Sequence, residues 1–178
     1  MKTLKRLAIL AGRLFSRAVN KITLLAGGIA GFALLVMTLI ITMDVVLRYG
    51  FTPTKWVQEF STYLMVVLIF LGLAYALRED VHIKVDFLVV RLPRRVQDWM
   101  KVIHSIIFLA FTMILFYFNW DLFAQSFAMK TTSYTSIDVI VWPAQLFMPV
   151  GLAIMGLLLL CNIFTEARVV LGKSDKAK

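Results

Sequence analysis

Asp44, Arg48 and Glu59 are ionisable side chains inside or at the edge of long apolar runs, as are His104 and Asp121 near the two ends of the third run. Charged groups in lipid either carry ions and protons or are paired off for structural reasons. Asp44 lies four residues before Arg48, which puts both on one helix face with the acid on the favourable N-terminal side. Glu59 follows a short loop containing Gly50 and Pro53, so Arg48 can also pair with it across that hairpin. All three lie near the ends of their runs, whereas a carrier keeps polar groups near the midplane. The spacing points to structural pairing ahead of transport chemistry.

The other chemistry-bearing residues offer less. Bis-histidine haem ligation needs two imidazoles at matched depth in a bundle. His82 falls in a loop between apolar runs and His104 at the start of the third run, so the pair is mismatched. A single cysteine, Cys161, excludes an internal disulfide, and with two histidines it leaves no Cys/His zinc cluster. The nine methionines read as packing filler. No phosphate loop, nucleophile–base pair or dinucleotide fingerprint occurs. Neither a catalytic residue, a metal nor a cofactor is expected, and no nucleic acid.

The elements that hold these residues follow from composition. The 178 residues are 61% hydrophobic and 16% charged, with a mean hydropathy of +0.85. Soluble domains run near ~45–50% apolar and ~25% charged, so a water-soluble enzyme is excluded. A bilayer core about 30 Å thick takes ~20 apolar residues as a helix. Four stretches qualify, at about 22–47, 57–77, 102–124 and 139–164. They do not alternate apolar and polar as barrel strands would, and an isolated strand leaves its backbone unpaired in lipid. The fold class is an all-α integral membrane protein with four transmembrane helices. The first span has an apolar run of 26 residues and no small-x-small cleavage site before Asp44, so it reads as a retained anchor. Gly27 and Gly31 form a G-x-x-x-G face. Pro143 and Pro149 should kink the fourth span, or Pro143 lies in its true first turn after an extended stretch at 136–141. Thr135-x-x-Asp138 resembles a capping box there.

Basic residues set the expected orientation. The segment before Ile22, the loop at 78–101 and the tail hold 16 of the 19, against 3 in the other two loops. Both termini are therefore expected in the cytoplasm. Trp56, Trp120 and Trp142 fall near the predicted outer boundary as an aromatic belt. Residues 1–21 carry apolar positions at helical spacing with Lys5, Arg6, Arg13 and Arg17 on the other face. That pattern predicts an N-terminal amphipathic helix flat in the interface, touching anionic lipid. Residues 22–165 form the membrane domain and 166–178 a basic cytoplasmic tail. Within the domain the loop at 78–101 is amphipathic. Leu92-Pro93 breaks it, and Arg94 to Lys101 feed a helix into the third span.

Arg48, Trp56, Glu59, Tyr63, Phe70-Leu71-Gly72, Arg78, His82-Ile83-Lys84-Val85-Asp86 and Leu92-Pro93 together resemble the small membrane subunit of tripartite ATP-independent periplasmic (TRAP) transporters, the DctQ family. The architecture matches over roughly Asn20 to Thr165, with the specific motifs between Asp44 and Pro93. Gln58 departs from the pattern, since many relatives carry a second acid beside Glu59. The resemblance implies a scaffold subunit in the bacterial inner membrane, beside a large DctM-like subunit that holds the solute and sodium sites and moves like an elevator. It implies a periplasmic solute-binding protein that delivers an organic anion, usually a carboxylate, with an ion gradient as the energy source. Arg48, Glu59 and the loop residues Lys130 to Asp138 are then candidates for the outer end, where a binding protein could touch, and Arg78, His82 and Asp86 for pinning the inner end of the second span, with Asp44 and Trp56 as further structural or interface candidates. Two rival readings are a haem- or quinone-binding membrane anchor of a redox enzyme and a small exporter working as an oligomer.

Overall fold

The computed structural model describes residues 2–50, 56–79, 94–133 and 139–174. Four helices make the fold: α1 (Lys2–Gly50), α2 (Trp56–Arg78), α3 (Arg94–Met129) and α4 (Trp142–Ser174). Each contains a stretch long and apolar enough to cross a membrane: Phe15–Gly50, Trp56–Arg78, Val102–Met129 and Trp142–Thr165. His82 and Asp86 lie outside the described residues, as do Asp138, most of the 78–101 loop and the end of the tail.

The observed boundaries show which local signals set them. α3 starts at Arg94, immediately after Pro93, where proline suits the entry to a first turn. α4 starts at Trp142 rather than 139, because Val139 to Val141 are extended and Ile140 bridges to Thr132. The Val141 carbonyl then accepts from the amides of Ala144 and Gln145 at 3.2 and 3.3 Å, which opens the helix with Pro143 in its first turn. α1 differs from the sequence expectation at the other end. It runs unbroken for 49 residues, so no helix boundary separates residues 1–21 from the first span. At 1.5 Å per residue α1 is roughly 73 Å long, more than twice the bilayer core.

Contacts between helices give the topology. Leu77 packs on Val19, Leu158 and Cys161, while Leu71 packs on Ala26 and Ala30, so α1 and α2 are antiparallel. Gly151 lies against Phe70 and the Leu158–Cys161 turn against Leu77, so α2 and α4 are parallel neighbours. Gly156 faces Thr112 and Trp142 faces Phe127, which makes α3 antiparallel to α4. α2 and α4 form the centre, α1 flanks α2 and also touches α4, and α3 flanks α4. The start of the α1 span and the end of the α4 span therefore share one end of the bundle.

In lipid, burial of apolar side chains gives little drive for helix association, so close packing must supply it. The centre shows that packing. Ala74 is fully buried with Met155 and Leu159, and Phe108 and Leu109 of α3 close the cluster. Gly151 lets α4 approach the Phe70 carbonyl so closely that a Cβ there would overlap the α2 backbone. Gly27 does the same for the Tyr75 ring, whereas Gly31 faces open space. Among the described residues, the first glycine of the G-x-x-x-G makes a close contact and the second does not. The outward faces of α1 and α3 are bulky and apolar, with Phe32, Leu35 and Leu39 on one and Phe111, Tyr117 and Phe118 on the other. Such faces suit a lipid or membrane-protein surround.

Candidate functional site

The carboxylates Asp44 and Glu59 lie at the end that carries Gly50, Trp56, Met129 and Trp142, whereas the buried hydroxyls of Thr23, Ser105 and Thr112 lie at the other end or at mid-depth. Asp44 is buried on α1, and the Arg48 Nε–H donates to its Oδ2 at 2.7 Å, one helical turn on. The Arg48 side chain itself remains 58% exposed, so the pair is a charge-assisted hydrogen bond at a boundary and not a dry ion pair. Of the two pairings open to Arg48, the structure uses the one within α1.

Glu59 is buried on α2, at 6% exposure. Its Oε1 accepts from the Ser133 hydroxyl at 2.9 Å, a contact between residues 74 apart in sequence. One turn further along α2, the Tyr63 hydroxyl donates to the Ile140 carbonyl at 3.3 Å. Two side chains at i and i+4 on one helix thus grip the two arms of the segment that joins α3 to α4. The arms also hold each other. The Ser133 amide donates to the Val139 carbonyl at 2.9 Å and the Val141 amide to the Thr131 carbonyl at 3.1 Å.

The segment leaves α3 through a defined cap. Lys130 takes a left-handed conformation with φ 47°, and the Thr131 amide reaches back to the Ser126 carbonyl at 3.2 Å. This is the six-to-one bond that ends helices when the preceding residue turns left-handed, a place glycine usually fills. Lys130 is therefore a cap first and an exposed cation second. Trp56, the first residue of α2, is exposed and meets Phe60 edge-on with ring centres 5.8 Å apart. Rings continue along α3 from Phe116 through Trp120, Phe123 and Phe127 to Trp142, each step about 5.4 to 6.1 Å. The three tryptophans expected at one boundary do lie toward one end of the bundle.

The opposite end is simpler in the described residues. Arg78 donates to its neighbour Glu79 at 3.2 Å, a local pair at the end of α2. His104 is exposed and stacks on Phe108. Among the described residues no group of three or more His, Cys, Asp or Glu side chains comes together for a metal.

Sequence reasoning brought Asp44 to Arg48 and placed Glu59 at the same end. It placed Ser133 at that end only as part of the loop 130–138, and missed its bond to Glu59 and that of Tyr63 to Ile140. Tyr63 had a signal, its i+4 spacing from Glu59 on α2; Ser133 had none, because its partner is distant in sequence. Ser61 Oγ and Gln145 Oε1 are buried without a hydrogen-bond partner, and nothing in the sequence marks them.

A four-helix membrane bundle with buried carboxylates at one end is the class that fold and site define. Residues 37–169 match the family of tripartite ATP-independent periplasmic transporters, DctQ component. The chain belongs to this family. It is 34% identical over 88 residues to a TRAP transporter small permease protein of Haemophilus influenzae, covering 49% of this chain and 55% of that one. It is 24% identical over 149 residues to the isethionate TRAP transporter permease protein DctMQ of Oleidesulfovibrio alaskensis, covering 80% of this chain and 23% of that one. The chain thus spans just over half the length of the first relative and under a quarter of the second. The redox-anchor alternative finds no support in these matches.

Proposed function

We infer that this chain is the stationary membrane brace of a solute importer, and that a larger DctM-like subunit moves the solute. The observation that carries the reading is the position of the charges. Asp44, Arg48 and Glu59 sit together at one end, with Asp44 and Arg48 paired to each other and Glu59 bonded to Ser133. Through the middle, glycine, alanine and larger apolar side chains make the contacts between helices, and the buried Thr112 hydroxyl bonds the Phe108 carbonyl of its own helix. Charged or polar groups converging near the midplane are what a carrier needs to hold a solute or a coupling ion, and the end position of these carboxylates supports a reading in which a partner holds both. The fused DctMQ relative supports such a partner, since most of its length lies outside the matched part.

The end that bears the Glu59–Ser133 bond faces the periplasm in this reading, because the basic residues cluster toward the other end. A periplasmic solute-binding protein that brings an organic anion docks there. The basic leader and tail lie in the cytoplasm of a bacterial cell against anionic lipid. Sodium, as the coupling ion, binds the partner subunit and not this chain.

Purification of the tagged chain from its native membrane tests the assignment. A large multi-span protein should co-purify in a fixed ratio. Recovery of a homogeneous homo-oligomer with no second membrane protein would contradict it and favour the exporter.

A further inference from the structure

We propose that Asp121 pairs, inside the membrane, with a basic side chain on a transmembrane helix of the larger subunit, and that the face of α3 around it receives that helix. The inference rests on the reading of this chain as a brace beside such a subunit, and it adds which face meets the partner and by what chemistry. In the sequence Asp121 falls near the end of an apolar run, but α3 continues to Met129. Contacts between helices set its depth. Trp142 meets Phe127 and Gly156 meets Thr112, so Asp121 is level with Phe147 and Met148 of α4. Gly151 meets Phe70, which sets that turn level with Val66 and Val67, near the middle of α2. Asp121 therefore lies roughly 8–9 Å deeper than the Trp142 end of α4, at 1.5 Å per residue.

The carboxylate also points away from the bundle. Thr112 and Ser126 are buried on the side of α3 that meets α4. Asp121 is about two and a half turns from Thr112, hence on the opposite side, and it is exposed together with Tyr117, Phe118 and Gln125. The Gln125 amide nitrogen donates to Asp121 Oδ2 at 2.8 Å. A neutral amide orients the carboxylate without cancelling its charge. Lipid is a poor cover for it, since acids at this depth face protein or a wet cavity and are paired there. The aspartate side chain is also too short to reach the head groups as lysine and arginine do. What covers Asp121 must bring positive charge to its depth. The basic side chains of the four spans are Arg17, Lys21, Arg48, Arg78 and His104, all near span ends. A second copy inserted the same way sets none of them opposite Asp121, so the occupant is a different membrane protein. Tyr117 and Phe118 flank the acid and give the incoming helix an apolar surface around the charge.

Cells making both membrane subunits, with the large one tagged, supply the test. Wild type, Asp121→Leu and Asp121→Asn would be compared for the amount of this chain retained on the tagged partner. Truncating one member of a buried charge pair should lower retention at least tenfold in Asp121→Leu, with Asp121→Asn in between because it keeps an acceptor. The melting midpoint of the isolated chain in detergent should not fall in either variant, since the side chain is exposed and its hydrogen bond lies within α3. If Asp121→Leu does not fold, the near-isosteric Asp121→Asn decides. A photoactivatable phenylalanine analogue at Phe118 should join the large subunit at an apolar segment that carries Lys, Arg or His. Alanine at that basic residue should reproduce the Asp121→Leu loss, and the double variant should be no worse than either single one.

Full retention of both Asp121 variants would overturn the inference and leave the brace reading standing. So would a crosslink to a second copy, to lipid alone, or to an apolar segment without a basic residue. A matching fall in the midpoint of the isolated chain would also overturn it, because Asp121 would then serve this chain's own fold. Failure of the wild-type chain to bind the large subunit at all would overturn the brace reading, and the inference with it.

Discussion

The centre of the bundle and its polar end are held by different physics. At the centre, Gly151 brings α4 onto the Phe70 backbone, Gly27 receives the Tyr75 ring, and Ala74, Met155 and Leu159 close the remaining space. Nothing there is directional, and the fit depends on missing atoms. At the polar end the contacts are directional, one local, Arg48 to Asp44, and two distant in sequence, Ser133 to Glu59 and Tyr63 to Ile140. The centre resists any added volume, whereas the polar end tolerates volume and responds to the loss of a donor or acceptor.

The sharpest way to break the comparison is to add atoms at the centre. Gly151→Val should cost roughly 3 kcal/mol or more, because the obstacle is the Phe70 backbone, which cannot rotate away. Thermal unfolding of the purified protein in detergent would read it as a large drop in midpoint or as failure to recover folded protein. Gly27→Ala should cost less, about 1–2 kcal/mol, since the Tyr75 ring that it meets can shift. Equal losses at the two sites would show that side-chain and backbone obstacles do not differ here.

At the polar end, Asp44→Asn should cost no more than about 1 kcal/mol by the same melt, because Arg48 is more than half exposed and the pair is screened. A loss as large as that of Gly151→Val would mean that the pair is buried by something beyond this chain. Lys130→Gly should raise stability slightly, by about 0.5–1 kcal/mol, because glycine adopts a φ of 47° without a Cβ penalty. Gly31→Ala is the smallest change, neutral to mildly stabilising, since nothing lies within 4 Å of the new Cβ and alanine suits a helix. A clear loss of assembly with the large subunit in Gly31→Ala, with the isolated chain unaffected, would mark that face of α1 as an interface.

The sequence made the spans, their number and the Asp44–Arg48 pair readable, because each depends on local spacing: an apolar run, or two residues at i and i+4. The entry to α3 at Arg94 followed from Pro93 in the same way. Three things were not readable. α1 continues through residue 21 because helix propensity carries across the boundary between basic and apolar segments, and no breaker interrupts it. The choice of Gly27 over Gly31 as a contact depends on where Tyr75 falls on another helix. Ser133 reaches Glu59 only because α3 returns beside α4 and its connection folds over α2, and no single-sequence pattern records that.

Solute flux in sealed liposomes tests the brace most directly. The chain alone, reconstituted under an imposed sodium gradient with binding protein and organic anion outside, should give no uptake above empty vesicles, and uptake should appear only when the large subunit is added. Accumulation of the anion by the chain alone would show that it moves solute itself and would contradict the account.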